Sequence, residues 1–136
     1  MISSKLIALF SLVAVVFLIQ QVVVVAVPNL ELLYYSCGSE LGYTDAFGRA
    51  RDALNSYIAR NTYARGRNLY SHAQHGYLTV YGHGTCGLHL SGDDCATCLE
   101  SSRIFLLQHC PRSIAAVCQL VDCRLRFKDT PFNRDG

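Results

Sequence analysis

The chain has 136 residues, with 12 Lys and Arg against 10 Asp and Glu. This length predicts a single domain, and the net charge of +2 argues against a nucleic-acid-binding surface and against binding to anionic membranes by charge alone. The seven cysteines are the most informative part of the composition. In an oxidising compartment, cysteines at fixed spacings usually form a disulfide framework.

The N-terminus predicts a secretory signal peptide. One positive charge, at Lys5, precedes an apolar run from Leu6 to Ile19, and small or β-branched residues follow it. This order is typical of a cleaved signal, so we expect residues 1–26 to be removed and residues 27–136 to form the mature domain. The alternative is an uncleaved membrane anchor, because residues 6–27 are numerous enough to span a bilayer. Cleavage would lower the net charge from +2 to +1, since it removes Lys5 and no acid.

The first part of the mature region predicts a strand and a helix. A short strand over residues 32–36 leads into Cys37. Apolar residues then recur at helical spacing from Phe47 to Ile58, behind Thr44 and Asp45, either of which could cap the helix N-terminus.

The second part predicts further strands and a second helix. Alternating tyrosines and polar residues indicate two antiparallel strands over residues 63–71 and 77–82. A helix follows Ser91, whose spacing to Asp94 resembles a capping box. Its predicted buried face consists of Cys95, Cys98, Leu99, Ser102, Phe105 and Leu106. Residues 114–127 indicate extended structure, so the whole predicts an α+β domain with a mostly antiparallel sheet.

Three cysteines, Cys86, Cys95 and Cys98, have the spacing Cys-x8-Cys-x2-Cys. At a helix start, Cys95 and Cys98 formally make a redox motif, and either His83 or His89 could complete a zinc site with them. Secretion disfavours zinc, because oxidation removes the thiols that the metal needs. No Ser/His/Asp group or telling pair of acids stands out, so we predict no enzyme, no metal site and no cofactor.

Several segments resemble the ginkbilobin-type domain of land plants. These segments are YGHGTC at residues 81–86, SGDDCATCL at 91–99, CPRSIAA at 110–116 and QLVDC at 119–123. The resemblance extends over about residues 33–132. The same domain occurs in cysteine-rich receptor-like kinases, cysteine-rich secretory repeat proteins and plasmodesmata-located proteins. It implies two helices packed on a five-stranded antiparallel sheet, with three disulfides.

The resemblance also implies which cysteines pair. The implied disulfides are Cys37–Cys110, Cys86–Cys95 and Cys98–Cys123. Because Cys95 and Cys98 then belong to different disulfides, no vicinal dithiol remains for redox catalysis. Cys118 is left unpaired, and we expect it to be a small buried apolar residue; the alternative is a thiol that links two chains. A single strand through Cys118 and Cys123 would point these two side chains to opposite faces.

In the family, a mannose site uses an asparagine, an arginine and a glutamate. The corresponding positions here are Gly38, Val117 and Lys128. Valine supplies no hydrogen bond and lysine reverses the charge of an acid, so the resemblance does not carry mannose binding over to this chain.

Basic residues offer a different candidate binding surface. Arg124, Arg126 and Lys128 alternate along one strand face, which could meet an acidic polysaccharide such as pectin or an acidic partner surface. The alternative is a solvated strand face screened by Asp122 and Asp129. Two further basic residues considered for this surface are Arg103 and Arg112. Four tyrosines could either stack on sugars or pack across strands: Tyr63, Tyr70, Tyr77 and Tyr81.

Together these observations predict a secreted, non-enzymatic binding protein of the plant extracellular space, the apoplast. The resemblance implies a defence role with antifungal activity. The expected ligands are cell-wall or fungal glycans other than mannose, with no nucleic-acid partner and no membrane contact after signal cleavage. The alternative is an extracellular protein-interaction module that binds receptor ectodomains or a second copy of itself, as a dimer.

Overall fold

A computed structural model describes residues 3–19 and 27–133. In chain order the elements are α1 (Ser4–Ile19), β1 (Leu32–Cys37), α2 (Asp45–Asn61), a 3-10 helix (Tyr63–Arg65), β2 (Asn68–His75), β3 (Leu78–Cys86), α3 (Gly92–His109), β4 (Ala115–Leu120) and β5 (Cys123–Lys128).

The prediction of two α-helices is wrong, because the described residues form three beside a five-stranded antiparallel sheet with three disulfides. The additional helix is α1, in the segment assigned to the signal peptide and therefore not counted. Its apolar sequence contains no glycine or proline, which permits a helix. Its described side chains are all exposed. None of the helices within residues 3–19 and 27–133 is long and apolar enough to cross a membrane, and the predicted cleavage point lies outside the described residues.

The five strands form one sheet in the order β1-β4-β5-β3-β2, and all neighbours are antiparallel. The helices α2 and α3 pack on the same face of this sheet, α2 mainly over β2 and β3, and α3 mainly over β4 and β5. The core lies between these two layers. No helix of the described residues packs on the opposite sheet face, and it is therefore the face on which candidate binding residues can be exposed.

Helix caps predicted from the sequence are confirmed. The hydroxyl of Thr44 accepts a hydrogen bond from the Phe47 backbone N–H at 3.1 Å and begins α2. Ser91 does the same for α3, accepting from the Asp94 N–H at 3.1 Å. Five of the six residues predicted on the inner face of α3 are buried, and Phe105 is half-buried.

Two strand predictions differ from the structure. Tyr63–Arg65 form a 3-10 helix, and Gly66 and Arg67 follow with φ of 74° and 64°, so β2 begins only at Asn68. The extended segment at residues 114–127 is two strands, because the chain reverses between Leu120 and Cys123.

This reversal changes the position of Cys118. The expectation that Cys118 and Cys123 face opposite sides assumed one continuous strand. Because they lie on different strands, both point to the helix side, where Cys118 is fully buried and unpaired.

The three disulfides all use α3 or the residue that caps it. Cys37–Cys110 joins β1 to the C-cap residue of α3. Cys86–Cys95 joins the end of β3 to the first turn of α3, and Cys98–Cys123 joins α3 to β5. These are the pairs that the family resemblance implies. The helix is thereby tied to three strands of the sheet, including the central one.

Glycines let α2 approach β3 closely. Gly82 and Gly84 face the helix, and a Cβ atom at Gly82 would lie 2.5 Å from Ile58 Cδ1. A Cβ at Gly84 would be 2.9 Å from Thr62 Oγ1 and closer still to Ile58 Cγ2. The distance between the two layers is therefore set by the absence of side chains at these positions.

Candidate functional site

The helix-free face of the sheet brings the three predicted basic residues together. Arg124, Arg126 and Lys128 alternate with buried residues of the central strand β5, so their side chains point away from α2 and α3. We call these three residues the basic strip. In the sheet register, Arg126 lies between Val117 of β4 and His83 of β3.

The other basic residues considered for this surface lie elsewhere. Arg103 forms an ion pair with Glu100 on α3. Arg112 is placed over the ring of Tyr43, with its Cζ atom 5.1 Å from the ring centroid. Neither Arg103 of α3 nor Arg112 in the loop after it therefore adds to the basic strip.

Of the two carboxylates expected to screen the strip, Asp129 follows directly after Lys128, outside the strand, and Asp122 is engaged at another place. Asp122 accepts a hydrogen bond from the Asn29 backbone N–H at 2.7 Å and approaches His89 Nε2 at 3.2 Å. Among the strand residues of the helix-free face there is no Asp or Glu. Within the described part of the chain, Arg124 Nε is also buried without a hydrogen-bond partner. The strip is thus a concentration of positive charge on a face whose strands supply no acid.

His83 lies beside the strip and remains uncharged. This residue is only 6% exposed, and its Nε2 atom lies 2.6 Å from Asn68 Oδ1. Its ring stacks on that of Tyr70, with 3.9 Å between the ring centroids. Burial, followed by the charges of Arg126 and Arg124, lowers the pKa of His83 from 6.5 to about 4. At neutral pH, His83 therefore adds a flat neutral ring and no further positive charge.

Phe132 covers part of the same surface and was not predicted as a site residue. The Arg126 guanidinium carbon lies 4.1 Å from its ring centroid, and Lys128 Nζ lies 5.9 Å from it. The ring also meets Tyr70 edge-on at 6.2 Å. The only sequence signal for this contact is an apolar aromatic residue after Pro131, in an otherwise polar segment.

A shallow pocket of about 210 Å³ opens beside the strip. Its lining includes the positions that correspond to the family mannose site, Gly38, Val117 and Lys128, together with Arg124, Arg126 and Phe132. A Cβ atom at Gly38 would lie 2.8 Å from the Ala115 carbonyl oxygen, so a side chain there would need the backbone to move. The side chains that can form hydrogen bonds in this pocket are those of Ser36, Arg124, Arg126 and Lys128, whereas Gly38 and Val117 supply none.

The four tyrosines considered as sugar-stacking residues separate into two groups. Tyr70 and Tyr81 lie on the helix-free face. Tyr63 packs under Arg67, whose Cζ atom lies 4.6 Å from the ring centroid, and Tyr77 is fully exposed at the turn between β2 and β3. Only the first pair can contact a ligand on the basic strip.

The pairing of Cys95 and Cys98 does not favour a zinc site or a redox centre at these cysteines. Cys95 and Cys98 are bonded to Cys86 and Cys123, so neither is available as a thiolate. Among the described residues there is no group of three or more His, Cys, Asp or Glu that could hold a metal ion.

Comparison with known proteins identifies the family of this chain. A family model described as salt stress response/antifungal matches residues 36–130. The chain is similar to the antifungal protein ginkbilobin-2 of Ginkgo biloba, with 39% identity over 59 residues that cover 42% of each protein.

Solved structures show the same fold. The chain is similar to the tandem DUF26 ectodomain from the Arabidopsis thaliana cysteine-rich receptor-like protein PDLP8, with a TM-score of 0.67 and 25% identity over 76% of this chain and 50% of that one. The corresponding ectodomain of PDLP5 has a TM-score of 0.65 and 22% identity, over 75% and 51%. The chain thus spans about half of each ectodomain. It belongs to the salt stress response/antifungal family and carries a ginkbilobin-type, DUF26-type domain.

Proposed function

We propose that this protein is a secreted, non-enzymatic binding protein of plant defence, which recognises acidic glycans of the cell wall or of a fungus. The observation that carries the proposal is the basic strip beside an open pocket, on a sheet face whose strands contain no acid. The family description and the antifungal relative support a defence role. The receptor-like ectodomain supports an extracellular location, and the predicted signal peptide at residues 1–26 agrees with it.

The chemistry of the strip favours a carboxylate-bearing ligand. Guanidinium groups bind carboxylates through paired, charge-assisted hydrogen bonds, and Arg124 and Arg126 place two such groups on this sheet face. The side chains of alternate strand residues are spaced roughly 7 Å apart. A linear acidic polysaccharide can therefore present several carboxylates to the strip, whereas a neutral sugar leaves its charge uncompensated.

The test is a glycan array with the oxidised protein, secreted from a host that processes its N-terminus, at low and at moderate salt. We expect binding to uronate-containing glycans that weakens as salt rises, since exposed charges are screened. Arg124→Gln should reduce the affinity about tenfold, as expected for losing one charge-assisted contact of about 1.4 kcal/mol. Arg49→Gln removes the same charge from the exposed side of α2 and should leave binding unchanged.

The array has two outcomes that contradict the proposal. Equal losses in the Arg49 and Arg124 variants would mean that net charge, and not the strip, attracts the glycan. Binding to mannose alone would mean that a neutral sugar is recognised, although Val117 and Lys128 do not match the family mannose residues.

The second candidate function is an extracellular protein-interaction module. The observation that favours it is β1, an edge strand whose four large apolar side chains are between 39% and 58% exposed and which carries no charge. Unpaired backbone groups at such an edge can add a strand from a receptor ectodomain or from a second copy of this chain. A blank array from folded protein, together with a defined polypeptide that binds it in solution, would favour this function over glycan binding.

A further inference from the structure

A second pocket lies on the helix-free face, on the other side of Phe132 from the basic strip. It has a volume of about 200 Å³, and its side-chain walls are Tyr70, His72, Tyr81, Pro131 and Phe132. We call it the tyrosine pocket. None of its lining residues is an acid, a lysine or an arginine. Its chemistry therefore differs from that of the pocket beside the strip.

The two pockets are neighbours. Tyr81 of β3 pairs directly with Lys128 of β5 in the sheet register, so the tyrosine pocket begins one strand away from the end of the basic strip. Phe132 lines both pockets and forms the wall between them. Typical ligand pockets have volumes of roughly 300 Å³ or more. Each of the two pockets is smaller than this, whereas their combined volume is comparable with that of a typical ligand pocket.

The walls of the tyrosine pocket suit a sugar ring. Tyrosine offers a flat apolar ring and a hydroxyl, and a sugar offers an apolar C–H face bordered by hydroxyl groups. Tyr70 is held in place by its stack on His83, and Tyr81 lies 6.1 Å from the ring of His72. The ring of Tyr70 is thus in place before a ligand arrives, which limits the entropy lost on binding.

We propose that the helix-free face binds two adjacent units of one acidic oligosaccharide. The carboxylate of one unit contacts the basic strip, the next ring packs in the tyrosine pocket, and Phe132 contacts both. This inference rests on the proposed function, because it extends the acidic-glycan site by a second subsite. It predicts that recognition depends on the length of the glycan as well as on its charge.

The experiment is a calorimetric titration of the full-length secreted protein with galacturonic acid and with its dimer and trimer. We expect the affinity of the unmodified protein to rise about tenfold from monomer to dimer. Tyr81→Thr, which keeps a strand-forming residue, should remove this gain while binding remains dependent on salt. Tyr81→Phe keeps the ring and should keep the gain. Tyr77→Thr alters a tyrosine at the turn, outside both pockets, and should have no effect.

The outcomes separate the inference from the proposed function. If the unmodified protein shows no gain with length, or Tyr81→Thr retains it, the second subsite is wrong, although binding that depends on Arg124 still supports the acidic-glycan site. If no uronide binds, both proposals fail. Phe132→Ala should weaken the monomer and the dimer alike. Tighter binding by this variant would show that Phe132 blocks the face, which would overturn its role as a shared wall.

Discussion

The imidazole of His83 couples the stability of the domain to pH. The unfolded chain takes up a proton at this residue near pH 6.5, whereas the pKa in the folded protein is about 4 because of burial and the charges of Arg126 and Arg124. Between these values the unfolded state binds more protons. The stability that His83 contributes is therefore complete above about pH 6.5 and is lost as the pH falls toward 4.

We expect the free energy of unfolding to fall by about 3 kcal/mol more between pH 7 and pH 4 in the unmodified protein than in His83→Gln. Glutamine can retain a hydrogen bond to Asn68 and does not titrate. Urea unfolding at the two pH values measures the difference. The matched control is His75→Gln, which removes an imidazole from the exposed end of β2. Identical pH dependence in both variants would contradict the assigned environment of His83.

At the scale of elements, the contact between α2 and β3 depends on two residues that have no side chain. Gly84 meets Ile58 and Thr62 so closely that an added methyl group forces one of the layers to move. We expect Gly84→Ala to lower the free energy of unfolding by about 1–3 kcal/mol, the usual cost of overpacking a core.

Gly92→Ala provides the comparison for this prediction. Gly92 lies in the first turn of α3, and the three atoms nearest to a Cβ there all belong to the exposed ring of Tyr63, the closest at 3.1 Å. This ring can move, and alanine favours the helix, so the variant should be neutral or slightly stabilising. Chemical denaturation of the two variants tests the contrast. A Gly84→Ala variant as stable as the unmodified protein would show that the layers are not in close contact.

The elements also show what local sequence can predict. Thr44 and Ser91 determine where α2 and α3 begin through hydrogen bonds within three residues, so both starts were predictable. The alternation from Tyr63 onward fits a strand equally well, but Gly66 and Arg67 take left-handed conformations and the chain forms a 3-10 helix there. The turn between Leu120 and Cys123 was missed because its residues carry no strong turn signal.

The candidate site was predictable only in part. The alternation of Arg124, Arg126 and Lys128 in the sequence already indicates a shared face. The placement of Phe132 over Arg126, and of Tyr81 beside Lys128, depends on strand register and on the path of the chain after β5. These are long-range contacts, which no local pattern contains. Arg103 and Arg112, which were considered for this surface, lie elsewhere, because Arg103 pairs with Glu100 and Arg112 covers Tyr43.

At the scale of the whole molecule, the disulfides differ in their exposure to solvent. Cys37 lies in the exposed edge strand β1, whereas the cysteines of the other two disulfides are all buried. We expect a limiting amount of a phosphine reductant to cleave Cys37–Cys110 first. Alkylation followed by peptide mass spectrometry identifies the reduced pair. Loop-closure entropy predicts that its loss lowers the free energy of unfolding by up to about 4 kcal/mol. Earlier reduction of Cys86–Cys95 or Cys98–Cys123 would contradict this order.

The sheet order also has a consequence for how the protein is made. The central strand, β5, is the last of the five to leave the ribosome. Until it emerges, the sheet can exist only as two separate ribbons, β1 with β4 and β2 with β3, and two-stranded ribbons are marginally stable in water. Over the same interval Cys98 cannot form its disulfide, because Cys123 has not yet been synthesised, whereas the thiol of Cys118 is already present. The last strand of the sheet therefore joins its two halves and supplies the disulfide partner of Cys98 at the same point of synthesis.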